Sequence, residues 1–182
     1  MKPTWLLAAT AVALLLDASV AAEEAERWLI GQPVAAEHLQ KIDIDVLPDG
    51  RGLPEGQGSV AEGKAIYDKQ CAACHGTDGV GGSYGSLAGG RPVDPAAMAA
   101  DRSYQRTIGN YWPYATSLFD YIRRAMPYNK PGSLTNDELY AITGYLLFLN
   151  TLISENETMT ASTLPAVAMP ARDYFKAAVS TP

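Results

Sequence analysis

Cys71-Ala72-Ala73-Cys74-His75 is the stretch on which this 182-residue sequence turns. The pattern C-x-x-C-H reads as a c-type haem attachment site. Two thiols on one helical turn can add to the two vinyl groups of a single haem. The next residue, His75, is then placed to ligate the iron through an imidazole nitrogen. Three other uses of the pair are weaker. A thioredoxin-type redox pair usually follows a strand and opens a helix, whereas this one closes a helix. A zinc site needs more Cys or His ligands, and His38 is the one other histidine in the sequence. A plain disulfide has no use for His75.

Working outward from the motif, a helix is expected from Ser59 into Cys71. Ser59 caps it, and Glu62 three residues on completes a capping box. Residues 76–95 are rich in Gly and Pro and read as loop. A short helix is expected from about Ser117 to Ala125, with Ser117 as its cap and Asp120 at the third position. The clearest helix runs from about Asn136 to Asn150, capped by Thr135 and Glu138. Leu139, Ile142, Leu146 and Leu149 give it an apolar face. Gly144 weakens that helix by about 1 kcal/mol relative to Ala, and could let another helix, such as the one containing Gly63, approach closely, with Gly63 and Tyr67 expected to face its apolar stripe. No stretch alternates long enough to mark a strand. Residues 153–182 lack a firm period and read as an extended tail.

The first 22 residues differ from the rest. Lys2 precedes an apolar run from Trp5 to Leu16, then Ala18-Ser19-Val20-Ala21-Ala22 and the acidic Glu23-Glu24. This is the layout of a secretory signal peptide, with cleavage expected near Ala22 and a periplasmic destination. The alternative, a retained anchor, is disfavoured by a run well short of the roughly 20 residues a span needs. Cleavage leaves Cys71 and Cys74 as the two cysteines, too few for a disulfide-built scaffold. No membrane span is expected in the mature chain.

Residues 23–58 form an N-terminal arm with eight acidic residues against Arg27, Lys41 and Arg51. Its end, Leu47 to Gly58, is full of turn residues, while Trp28, Leu29 and Ile30 suggest a packed part. The formal net charge of -6 argues against a nucleic-acid partner, which calls for a basic patch. It suits docking to a basic protein surface.

Over residues 59–152 the chain resembles the class I cytochromes c. The resemblance implies an all-α, class I cytochrome c fold with extended, largely irregular N- and C-terminal arms. In that class the second iron ligand is usually a methionine just before the last helix. Met126, in Arg123-Arg124-Ala125-Met126-Pro127-Tyr128, stands there. Met169, also followed by proline, is the main alternative and His38 a weaker one; Met98 and Met159 complete the mature chain's methionines. A His/Met pair fills both axial positions, which favours electron transfer over catalysis. Leu87, Ile108, Trp112, Leu118, Ile122 and Leu146 are candidates for the apolar wall around the ring. Many class I members carry P-x-L after the motif, and the proline carbonyl orients the ligand histidine. Here Gly85-Ser86-Leu87 stands at that place, so glycine replaces the proline. Arg123, Arg124 and Lys130 cluster near Met126, either to neutralise propionates, Arg124 being the pocket candidate among them, or as a docking patch; a solvated charged face serves equally well.

A narrower likeness rests on three stretches: Ile30-Gly31-Gln32-Pro33 with Asp43 to Pro54 in the arm, Thr107 to Pro127 in the middle, and Val167-Ala168-Met169-Pro170-Ala171-Arg172-Asp173 in the tail. These resemble the cytochrome subunits of bacterial sulfite dehydrogenases and of the related sulfane dehydrogenases of thiosulfate oxidation. The resemblance implies one covalent haem c and a heterodimer with a molybdenum-cofactor sulfite dehydrogenase catalytic subunit. It also implies delivery of electrons to a downstream cytochrome c or oxidase. No catalytic residue is expected in this chain, because the substrate chemistry would belong to the partner. A freely diffusing shuttle and a haem enzyme or sensor with an open iron site are the alternatives.

Overall fold

The computed structural model describes residues 33–176, so the leader-like segment and Trp28 to Ile30 lie outside the described residues. The chain divides after Asp43. In the first unit, helix α1 (Ala36–Ile42) carries a Glu37–Lys41 ion pair at 2.8 Å, one turn apart. His38 and Leu39 are exposed on it.

The second unit, from Ile44 onward, has the helical frame of a cytochrome c fold. Its elements are β1 (Gln57–Ser59), α2 (Val60–Gln70), α3 (Ala72–His75), α4 (Pro95–Ala100), α5 (Ile108–Tyr111), α6 (Ala115–Ala125), α7 (Asn136–Leu149) and β2 (Thr158–Thr160). Both expected capping boxes form. Ser59 Oγ accepts from the Glu62 N–H, and the Glu62 carboxylate accepts from the Ser59 N–H at 2.8 Å. Thr135 and Glu138 do the same at the start of α7. Each box satisfies two of the orphan donors at a helix start.

The α2–α7 crossing is the structural axis of this unit. A Cβ placed on Gly63 would lie 2.0 Å from the Ala141 carbonyl oxygen, so the two backbones touch where no side chain fits. One turn on, Tyr67 packs its ring on Tyr145 with centroids 5.3 Å apart. Gly144, expected to serve a helix–helix approach, instead seats the side chain of Met159 from β2. From Leu139 to Leu147 every residue of α7 is buried. It is therefore a central helix covered on all sides, not one with a single apolar face.

Three expectations are corrected. Helix α6 begins at Ala115, after Tyr114, without a side-chain cap. Ser117 lies inside its first turn, because burial of Ala115 and Thr116 against the core starts the helix before the local cap signal. The loop expected over residues 76–95 ends one residue early, where Asp94 accepts from the Ala97 N–H and Pro95 opens α4. The tail is irregular but not loose: β2 pairs antiparallel with β1, Gly58 opposite Met159, and Met159, Leu164, Met169 and Ala171 are buried.

Candidate haem site

Helix α2 runs directly into the motif. Cys71 is its C-cap, with its N–H donating to the Tyr67 carbonyl at 2.8 Å. The chain then makes the single turn α3, in which the Cys74 and His75 N–H groups both donate to the Cys71 carbonyl. Gly76 ends that turn at φ +82°, a left-handed conformation that favours glycine. A Cβ there would fall 1.7 Å from the Val80 oxygen, and one on Gly82 would fall 2.1 Å from the Cys74 oxygen. The loop after the motif is thus folded tightly back on it. The buried Tyr67 hydroxyl donates to the Gly76 carbonyl at 2.8 Å and pins the residue next to His75.

Cys71, Cys74 and His75 open onto a cavity of about 860 Å³. Met126, the C-cap of α6, reaches the same cavity from a different part of the chain. Leu118 and Ile122 of α6, Ile142 and Leu146 of α7, and Leu87, Ile108 and Trp112 complete most of its apolar wall. Leu87 is held from both sides: its N–H donates to the Gly79 carbonyl at 2.7 Å, and its carbonyl accepts from the Ile108 N–H. Asn150 adds a further clamp. Its side chain accepts from the Gly109 N–H at 3.0 Å and donates to the Leu87 and Leu146 carbonyls.

The methionine candidates separate by position. Met159 and Met169 are buried in the core, and neither lines the cavity. Met98 lies in α4 and does not line it either. His38 lies in α1 of the first unit. Arg124 does not line the cavity: its guanidinium is engaged by Asp120 at 2.9 Å and Asp45 at 2.5 Å. Those carboxylates, Asp120 first, stabilise its charged form. Arg123 donates to the Ile44 carbonyl instead. Of the cationic cluster expected around Met126, Lys130 alone is in the cavity wall.

Sequence reading set Tyr67 against the last helix but missed its place at the site, and it missed Asn150 and the cations Lys69 and Arg106, which join Lys130 in the wall. Tyr67 carried one usable signal, a large side chain one helical turn before Cys71. The others become neighbours of the motif only through the fold. The His75 Nδ1 atom is buried and has no hydrogen-bond partner among the described residues. The orienting carbonyl at the Gly85 position is therefore not engaged.

These residues fit a haem. The cavity is large, lined mainly by apolar side chains, and offers two thiols, an imidazole and a thioether. Its wall holds three cations suited to propionates and, among the described residues, no carboxylate. Burial pushes the Cys71 thiol up to about 11, with Cys74 adding to the effect. A redox-active or nucleophilic cysteine needs the opposite shift. No group of three or more metal-binding side chains is found among the described residues. No helix among them is long and apolar enough to cross a membrane.

The family described as "Cytochrome C oxidase, cbb3-type, subunit III" matches residues 58–146. A chain of the sulfane dehydrogenase SoxCD from Paracoccus pantotrophus has the same fold, with a TM-score of 0.73 and 36% identity. The match covers 82% of this chain and 72% of that one. Thiosulfate dehydrogenase from Stutzerimonas stutzeri is 36% identical over 93 residues, 51% of this chain and 28% of the relative. The enzyme of the same name from Psychrobacter arcticus is 30% identical over 122 residues, 65% of this chain and 36% of that one. The Allochromatium vinosum enzyme is 29% identical over 140 residues, 67% of this chain and 49% of that one. The chain therefore spans half or less of these curated relatives. By fold, motif-bearing segment and these likenesses together, the chain belongs to the c-type cytochromes, related to the subunits of sulfur-compound dehydrogenases, a family whose cofactor is haem c.

Proposed function

We propose that this chain is the electron-accepting subunit of a periplasmic sulfite dehydrogenase. It holds one haem c through thioether bonds to Cys71 and Cys74. The observation that carries the reading is the convergence of Cys71, Cys74, His75 and Met126 on one apolar cavity. When bound, the haem supplies a reversible one-electron couple. His75 and Met126 would hold the iron from this chain's own side chains, and with both bound no position would remain for a substrate. The apolar wall would keep water from the ring, and together with the two iron-holding side chains this would set the potential. Tyr67 and the tight Gly76 turn hold His75 in place. Lys69, Arg106 and Lys130 balance the propionate charge at the wall.

Sulfite oxidation releases two electrons, so a molybdenum-cofactor subunit would pass them to this chain one at a time. This chain would hand them to a downstream cytochrome c or oxidase. A second reading keeps the same role but makes the partner a sulfane dehydrogenase subunit. The 36% identity to a chain of SoxCD favours it.

The test is purification of the native protein from periplasm under mild conditions, followed by addition of sulfite and then thiosulfate while the haem spectrum is followed. Rapid reduction by sulfite, with a molybdenum protein in the same peak, is the expected result. Reduction only in the thiosulfate-oxidising system moves the partner to the sulfane class. A lone monomeric cytochrome that neither compound reduces overturns the subunit reading in favour of a free shuttle. Mass spectrometry of the same material is expected to find the chain starting near Glu23 and heavier by one haem. A full-length cytoplasmic chain overturns the export assignment.

A further inference from the structure

Helix α6 has two working faces. Leu118 and Ile122 look into the cavity, and Met126 continues their row one turn on. Asp120, Arg123 and Arg124 fall on the other side of the helix. There, three consecutive residues of the extended segment Ile44–Val46 are each tied to a different residue of the last turns of α6. The Ile44 carbonyl accepts from Arg123 Nη1 at 3.3 Å. The Asp45 carboxylate accepts from Arg124 Nη2 at 2.5 Å. The Val46 N–H donates to Asp120 Oδ1 at 3.3 Å, and the other oxygen of Asp120 accepts from Arg124 Nε at 2.9 Å.

This segment is itself backed by a turn. The Leu47 N–H donates to the Arg51 carbonyl at 2.8 Å. Gly52, at φ +88°, leaves room for the Asp45 carbonyl, which a Cβ there would approach to 1.8 Å. Gly50 seats the ring of Pro165 from the tail. The end of a helix is where its backbone bonds are fewest and fraying starts. Met126 stands at that end, so on local grounds alone it would be held less firmly than Leu118 and Ile122 further back in the same helix.

We propose that the strap Ile44–Val46, acting through Asp120 and Arg123, positions Met126 by clamping the end of α6 from the face opposite the cavity. The clamp rests on the reading of Met126 as an iron ligand. Asp120 and Arg123 are positioning residues and touch no part of the haem site.

The test uses the ferric holoprotein and compares two transitions in urea, loss of the methionine–iron absorption band and loss of far-UV circular dichroism. In Asp120→Ala and Arg123→Ala the band is expected to disappear well before the helices. The equilibrium constant for local release should rise roughly threefold to tenfold, as for a partly exposed charged hydrogen bond. Arg123→Lys should recover much of the loss. Gly52→Ala, which displaces the strap without touching α6, should separate the two transitions in the same way. A purely structural role would move both midpoints together, and that result overturns the clamp. So does a band that holds in Asp120→Ala, Arg123→Ala and Gly52→Ala as in the parent. A band that survives Met126→Ala overturns the ligand reading itself, and is distinguishable because it appears before any urea is added.

Discussion

Tyr67 stands one helical turn before Cys71, and its fully buried ring faces Tyr145 while its hydroxyl holds the Gly76 carbonyl. Tyr67→Phe removes the donor and leaves a part-buried carbonyl short of a partner, which should destabilise the fold by about 1 kcal/mol, measurable as a lower urea midpoint. Burial pushes the Tyr67 hydroxyl from 10.0 up to about 12. The folded form therefore keeps its proton longer than the unfolded one. Stability from this source is fully present below pH 10 and is lost as pH rises from 10 to 12. Urea midpoints of the parent should fall across that window more steeply than those of Tyr67→Phe; parallel curves would show that Tyr67 is not the group responsible. For the iron ligand, Met126→Ala should abolish the methionine–iron band, whereas Met169→Ala should leave the band and lower stability by about 2–5 kcal/mol as a core truncation. The reverse pattern would hand the ligand role to Met169.

The helices show where local signals suffice and where packing overrules them. Both capping boxes were readable, because Ser59 with Glu62 and Thr135 with Glu138 act within one turn. The start of α6 was not, because Ala115 and Thr116 are buried by partners far along the chain. The two glycines of the α2–α7 region separate on the same ground. Gly63→Ala drives a methyl group into the Ala141 backbone, at 2.0 Å, which cannot give way. The expected loss is about 1–3 kcal/mol, or failure to fold. At Gly144 the nearest atom is the flexible Met159 side chain at 3.0 Å, and alanine gains about 1 kcal/mol in helix propensity. Gly144→Ala should therefore be close to neutral in thermal unfolding. A large loss there would mean that Met159 cannot shift.

At the scale of the whole molecule, Leu87, Ile108, Leu118, Ile122, Ile142 and Leu146 turn apolar side chains to the cavity. A haem there would cover that surface, and apolar area taken from water contributes about 25 cal/mol per Å². The cofactor would thus complete the core of this small domain. The double variant Cys71→Ala/Cys74→Ala, made without haem, should lose cooperative thermal unfolding and gain exposed hydrophobic surface detectable by dye binding. A sharp transition in that apoprotein would show that the helical frame stands without the ring. Asp101 adds a small pH dependence of its own in acid. Hydrogen bonds from Ser103 and Arg91 hold the Asp101 carboxyl at about 2, below 3.8. Its small contribution is present above pH 3.8 and fades as pH falls toward 2.

The haem motif, the two boxed helices and the position of Met126 before the last helix were legible because each is a short-range pattern: a fixed spacing, a cap or a period. Other features depend on residues brought together from far apart. Strands β1 and β2 are three residues long and about a hundred residues apart, so neither shows an alternation of its own. In sequence the Arg123–Arg124 pair suits a propionate, a docking partner or solvent equally well; the fold turns it toward Ile44 and Asp45, since Leu118 and Ile122 claim the cavity face of the same helix. Met126 and Met169 look alike in sequence, each followed by proline. The packing that buries Met169 in the core and leaves Met126 on the cavity wall is non-local, and no local spacing encodes it.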